Sequence, residues 1–327
     1  MERGNLLRWL LLGVGIFLLI SVGKNMFGGS TKPALQPVVS EVPIVAQAGN
    51  RAPEQLCDLW GDRFHAQLTT RGASLKRYKL TTSKYRKDGK QIELSTTPDQ
   101  ELYQQLRFNF ANRLAKSPDR QVDPDAMDWA LSRADGRSCE FTYQDAKVEL
   151  VKTISLAPRP YELDVTATIT NRASRPLKHA LTVHTDAWRT HHEVTAGMFR
   201  VSPLITQVEC IGSDGHTTRL THSEFEPSDF ADKEHFPNNA RNAGDWYEAA
   251  GVAAVGAVSN AYFTHSLVPL KAPGKAPVCQ AQIETRFDPR YGSQEKDPNG
   301  GSLYRVRLAY PELTLDPGQT ASYALTT

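Results

Sequence analysis

Residues 161–171 read YELDVTATITN, and this run decides the fold class. Leu163, Val165, Ala167 and Ile169 alternate with Glu162, Asp164, Thr166, Thr168 and Thr170. Side chains on a strand point to opposite faces with a period of two, so one face is buried and the other is wet. Similar strand-like runs occur at 148–156, 177–186, 207–211, 251–258, 278–287, 302–308 and 321–325. Turn residues separate them, among them Pro158, Pro160, Asp214-Gly215, Asn299-Gly300 and Pro317-Gly318. Many half-buried strands with few long helical stretches predict a mainly β protein of antiparallel sheets stacked in a sandwich, because each sheet hides its apolar face against another. One large β domain is expected over 54–327.

Outside the strand-like runs lie three polar stretches, 111–137, 213–246 and 288–301, which read as surface loops. Long loops in a compact domain commonly carry binding function. The middle one is therefore the candidate contact region, with Phe225, Phe230 and Phe236 as the residues on it that a partner would touch. Exposed strand edges are the other candidate, since an edge accepts an extended peptide by strand addition.

The 327 residues carry 38 Lys+Arg against 36 Asp+Glu, which excludes a nucleic-acid binder driven by bulk charge. The length suffices for a large core without small-scaffold staples. Residues 6–22, LLRWLLLGVGIFLLISV, form the one apolar run with membrane character, and Arg8 is its single charge. As a helix it would extend about 26 Å, a little short of the roughly 30 Å hydrocarbon core. Arg8 and Lys24 make up the difference by snorkelling. Arg3 and Arg8 before it, against Lys24 alone after it, predict a cytoplasmic N-terminus. The rival is a cleaved signal peptide, but Gly23-Lys24 is not an A-x-A site. The reading is a single-pass transmembrane anchor over 1–27, a semi-extended linker over 28–53 punctuated by Pro33, Pro37, Pro43 and Pro53, and an exported domain after it.

Cys57, Cys139, Cys210 and Cys279 lie too far apart for the local ligand pairs of a zinc ribbon or finger. In an oxidising compartment an even count permits two disulfides in three connectivities. Buried free thiols are the alternative, with Cys279 sharing its alternating face with Ala281 and Ile283.

The densest titratable group is HTDAWRTHHEV, holding His184, Asp186, His191, His192 and Glu193. His184 and Asp186 are two apart, so on a strand they share a face and have the spacing of a metal or acid/base pair. Nothing fixes a third ligand, and the plainer reading is a strand leaving the core into a polar loop. Asp119, Asp123, Asp125 and Asp128 lack the Gly and closing Glu of a calcium loop. The chain has no GxSxG, P-loop, HExxH or post-strand GxGxxG. No catalytic residue, cofactor or metal site is named from the sequence.

Three segments in order carry a family resemblance. Thr70-Arg71-Gly72-Ala73-Ser74-Leu75, continuing to Tyr78, Leu80 and Tyr85, looks like an early strand that turns on a Gly. Ser259-Asn260-Ala261-Tyr262-Phe263 with Leu267-Val268-Pro269 is similar to an aromatic Tyr-Phe strand, with both aromatics expected in the core or on the sheet face. Leu315-Asp316-Pro317-Gly318-Gln319 is similar to a late hairpin. With the anchor and tether, these segments resemble the YidC membrane protein insertases.

The resemblance implies a large antiparallel β-supersandwich of the galactose-mutarotase-like kind, placed in the periplasm and preceded by one N-terminal transmembrane helix in the bacterial inner membrane. It implies a non-catalytic domain assisting membrane protein insertion, with the bilayer, the Sec translocon, SecDF and nascent membrane proteins as partners and no nucleic acid. The family's insertase activity resides in a later five-helix membrane bundle. No second apolar span follows residue 22, so the expectation is either the N-terminal part of a longer insertase or a stand-alone relative. Rival readings are a mutarotase-like carbohydrate-binding module or aldose epimerase using the His184 group, and a purely structural envelope protein.

Overall fold

The alternation at 161–171 becomes the strand Leu163–Asn171, with Leu163, Val165, Ala167 and Ile169 buried. It pairs antiparallel with Val148–Leu156 on one side and Thr320–Thr326 on the other. A computed structural model describes residues 36–38, 52–87, 89–97, 103–110, 129–194, 202–221, 246–286 and 301–327. The proposed anchor at 1–27, Phe225, Phe230, Phe236 and the aspartates at 119–128 lie outside the described residues. No helix among the described residues is long and apolar enough to cross a membrane.

Two large antiparallel sheets dominate. The nine-stranded sheet runs Thr217–Thr221, Gln207–Gly212, Ala253–Ser259, Thr264–Lys271, Thr320–Thr326, Leu163–Asn171, Val148–Leu156, Ser138–Gln144, Ala130–Ala134. The six-stranded sheet runs Gln36–Val38, Trp246–Glu248, Val278–Arg286, Gly301–Ala309, Thr182–Thr190, Phe108–Asn109. The first sheet lies on the apolar face of the second, formed by Cys279, Ala281, Ile283, Tyr304, Val306, Leu308 and Val183. The approach is close: a Cβ on Gly256 would stand 2.7 Å from Val306 Cγ1 and 3.4 Å from Cys279 Sγ. A three-stranded sheet, Leu56–Trp60, Phe64–Thr69 and Ser74–Leu80, caps the assembly. Both disulfides join different sheets, Cys57 to Cys139 and Cys210 to Cys279, which selects one of the three connectivities.

Several expectations are corrected. The run at 177–186 is two strands, Leu177–His179 and Thr182–Thr190, in different sheets, because the chain changes sheet at Ala180 and Leu181. The polar stretch 111–137 contains the strand Ala130–Ala134, and 213–246 contains Thr217–Thr221 and ends on a strand at Trp246. Inside the tether, Gln36–Val38 pairs with Trp246–Glu248. Tyr262 and Phe263 sit in the turn between Ala253–Ser259 and Thr264–Lys271, held by Asn260 Oδ1, which accepts from both backbone N–H groups. The late hairpin is a corner. Leu313–Leu315 pairs with Leu177–His179 while Thr320–Thr326 pairs with Leu163–Asn171, and Gly318 makes the turn at φ 78°. The early turn does rest on glycine, with Gly72 at φ 67° between Phe64–Thr69 and Ser74–Leu80.

Candidate functional site

In the six-stranded sheet, the face turned away from the sandwich is polar yet buried. Period-two alternation in three neighbouring strands builds it: QAQ at 280–282, RVR at 305–307 and HTD at 184–186. The register places Gln280, Arg307 and His184 in one row and Gln282, Arg305 and Asp186 in the next. Trp246 and Glu248 extend the two rows from the adjoining strand.

Within the first row, Glu248 Oε2 accepts from Gln280 Nε2 at 2.8 Å and Gln280 Oε1 accepts from Arg307 Nε at 2.6 Å. In the second, Gln282 Oε1 accepts from Arg305 Nη1 at 3.1 Å and Asp186 Oδ1 accepts from Arg305 Nε at 3.4 Å. Trp246 lies across both rows, with the Arg307 guanidinium 4.0 Å and the Arg305 guanidinium 5.2 Å from its ring, and His184 meets it edge-on at 5.6 Å. Such stacking suits the weakly hydrated guanidinium. Asp186 is fully buried. Desolvation pushes its carboxyl up against the lowering pull of Arg305 and Arg107. Asp186 Oδ2 and Arg305 Nη2 have no hydrogen-bond partner among the described residues.

His184 and Asp186 thus share a face, as their spacing predicts, but both side chains are in the interior rather than on a strand leaving it. His191 begins a short helix, His191–Val194, which Thr190 and Glu193 brace through reciprocal hydrogen bonds; the His191 side chain lies outside the described residues. The sequence reading missed Arg305, Arg307, Gln280, Gln282 and Trp246. The signal was a polar residue at both ends of a triplet in three strands, with an apolar centre in two of them, but such alternation does not separate a wet polar face from a buried one. No cluster of three metal-ligating side chains occurs among the described residues.

A second feature is a cleft of about 240 Å³ where the three-stranded sheet meets the nine-stranded one. Tyr78, Tyr85, Tyr161, Tyr262, Phe263 and His265 line it. Tyr161 takes a left-handed conformation at φ 71°, and its carbonyl accepts from the Tyr78 hydroxyl at 2.9 Å. Such conformations in non-glycine residues collect where function holds the backbone. Phe263 packs partly on the core, whereas Tyr262 is exposed. Gln105 Oε1 pairs with His265 Nδ1 at 3.1 Å, and burial with Arg189 beside it holds the His265 imidazole down to about 4. The His265 imidazole on the cleft wall is therefore neutral at neutral pH.

Among solved structures the chain is similar to a galactose mutarotase-like protein from Lactobacillus casei ATCC 334, at 14% identity and TM-score 0.53 over 83% of this chain and 98% of that one. It is also similar to a galactose mutarotase related enzyme from Lactobacillus acidophilus, at 11% identity and TM-score 0.46 over 83% and 96%. At 14% identity the likeness to the first is one of fold. Among curated proteins it is 32% identical over 117 residues to the membrane protein insertase YidC of Anaeromyxobacter sp. (strain K), which is 34% of this chain and 21% of that protein. The match thus spans about a fifth of the length of that relative. The family model described as the YidC periplasmic domain matches residues 58–327, and the chain therefore belongs to the YidC periplasmic domain family.

Proposed function

We propose that this chain is the non-catalytic exported part of a YidC-type insertase, held at the bacterial inner membrane by one span at residues 6–22 with its N-terminus in the cytoplasm. There it assists membrane protein insertion beside the Sec translocon and SecDF. The observation that carries the reading is the family match over 58–327. The burial of His184, Asp186, Arg305 and Arg307 supports it, since acid/base groups closed among their neighbours do not reach a substrate in solution. Two inter-sheet disulfides agree with an oxidising compartment. A photocrosslinker placed in turn at Tyr262, Phe225, Phe230 and Phe236, in membranes engaged in protein insertion, is expected to capture a Sec component or a nascent membrane protein. Capture of neither from any position overturns the partner assignment.

The fold likeness, together with His184 and Asp186 on one face, favours a second reading as a mutarotase-like carbohydrate protein. Polarimetry separates the two. Acceleration of aldose mutarotation that His184→Ala abolishes would establish the second reading and remove the first.

A further inference from the structure

The three-stranded sheet buries Cys57, Leu59, Phe64, Ala66, Leu68, Tyr78 and Leu80 and shows its other face to solvent. On that outer face Trp60 is 64% and Leu56 44% exposed. Trp60 stacks flat on His65 with ring centroids 3.9 Å apart, so it stands on the sheet instead of folding into the core. Cross-strand register carries the row Trp60, His65, Lys79 and the row Asp58, Gln67, Arg77. A bulge opposite Gln67 and Leu68 inserts Lys76 as an extra residue, and bulges re-aim side chains in this way. Leu56, His65, Gln67, Lys76, Arg77 and Lys79 line a shallow depression of about 360 Å³. Residues 52–87 hold eight Lys+Arg against three Asp+Glu. Of the basic ones Lys76, Arg77 and Lys79 line the depression, with Asp58 accepting from Gln67 and paired with His65, and with Glu54 accepting from Lys76 Nζ at 2.9 Å.

We propose that this face docks on an anionic bilayer surface, with Trp60 and Leu56 entering the headgroup region and Arg77 and Lys79 holding lipid phosphates. Exposed tryptophan with an apolar neighbour and surrounding basic side chains is the composition that partitions to the membrane interface and is attracted by anionic lipid. The inference rests on the proposed tether, which would keep the domain beside a bilayer.

The full chain is incorporated in vesicles of phosphatidylcholine alone and of an equal mixture of phosphatidylcholine and phosphatidylglycerol. Acetylation rates of Lys76 and Lys79 are read by mass spectrometry, with Lys178 on its separate two-stranded sheet as reference. The expected result is several-fold protection of both lysines in the anionic vesicles, reversed by high salt. Arg77→Glu with Lys79→Glu should abolish protection of Lys76 while the Cys57–Cys139 disulfide, a report on folding, still forms. Equal rates in both vesicles overturn the proposal. So does protection reproduced by inorganic phosphate on neutral vesicles, which marks a discrete anion pocket, and protection that grows with chain density on neutral vesicles, which marks contact with a second copy. A chain that does not float with neutral vesicles tells against the tether alone, and the lysine comparison is then read with vesicles in excess.

Discussion

Asp186 and Arg305 show how one buried pair governs its neighbourhood. Asp186 is fully buried, and its carboxyl is opposed by desolvation and favoured by Arg305. Removing one partner of a buried pair strands the other charge, at about 3–5 kcal/mol. Arg305→Ala is expected to cost about that much in urea unfolding. Adding Asp186→Ala should recover part of the loss, since the double variant leaves no uncompensated carboxylate. Fully additive losses would show that the two side chains are energetically independent. His179 and His265 set a different dependence. Burial holds both imidazoles down to about 4, from an unfolded value of 6.5. Between those values the unfolded chain takes up the proton first, so stability is intact above the unfolded value and falls as pH drops from 6.5 to about 4. For the buried His179 this is a loss of roughly 3 kcal/mol across that window, and for the half-buried His265 it is smaller. Asp186, with its raised value, acts in the opposite sense, so the informative comparison is of variants. His179→Gln and His265→Gln should each flatten the decline of the urea midpoint with pH, and a slope unchanged in both would refute the assignment.

At the scale of elements, legibility followed burial. Leu163–Asn171 and Val148–Leu156 lie in the interior of the nine-stranded sheet with one face in the core, so their polar–apolar alternation is sharp. Ala130–Ala134 and Thr217–Thr221, both read as loop, are the two edges of that sheet, and Gln36–Val38 is an edge of the six-stranded one. Edge strands bury little and are kept polar to discourage pairing with other chains, so they leave a weak periodic signal. The site was half legible for a related reason. Spacing puts His184 and Asp186 on one face, but Arg305 joins Asp186 from 119 residues away, through a register that local sequence does not encode. Packing between the sheets gives the element-scale prediction. Any side chain at Gly256 points at Val306 Cγ1, 2.7 Å from the ideal Cβ, and the β-branched valine yields little. Gly256→Val is expected to destabilise by about 1–3 kcal/mol through overpacking. Val306→Ala in the same chain should return part of the loss by opening the facing position. Thermal unfolding of the four combinations checks it, and no rescue would mean that the sheets do not meet there.

Across the whole molecule, the nine-stranded sheet is the hub. Its strand Ser138–Gln144 is bonded through Cys139 to Cys57 of the three-stranded sheet. Its strand Gln207–Gly212 is bonded through Cys210 to Cys279 of the six-stranded sheet. Each of these strands lies one in from an edge, at opposite ends of the hub. The staples therefore hold different neighbours, and their effects should add, as they do for distant sites. With sequence separations of 82 and 69 residues, each cross-link removes enough unfolded-chain entropy to stabilise by about 4 kcal/mol in the chain-entropy account. For a domain of this size that corresponds to a Tm loss on the order of 10 °C per bridge. Cys57→Ala with Cys139→Ala, and Cys210→Ala with Cys279→Ala, should each lower Tm by that order. The quadruple variant should fall by their sum, and a reductant should leave it unmoved while lowering the unsubstituted chain to the same value. A Tm indifferent to reductant in the unsubstituted chain would mean that sheet packing alone holds the three layers together. The cross-links would then no longer support placing this domain in an oxidising compartment.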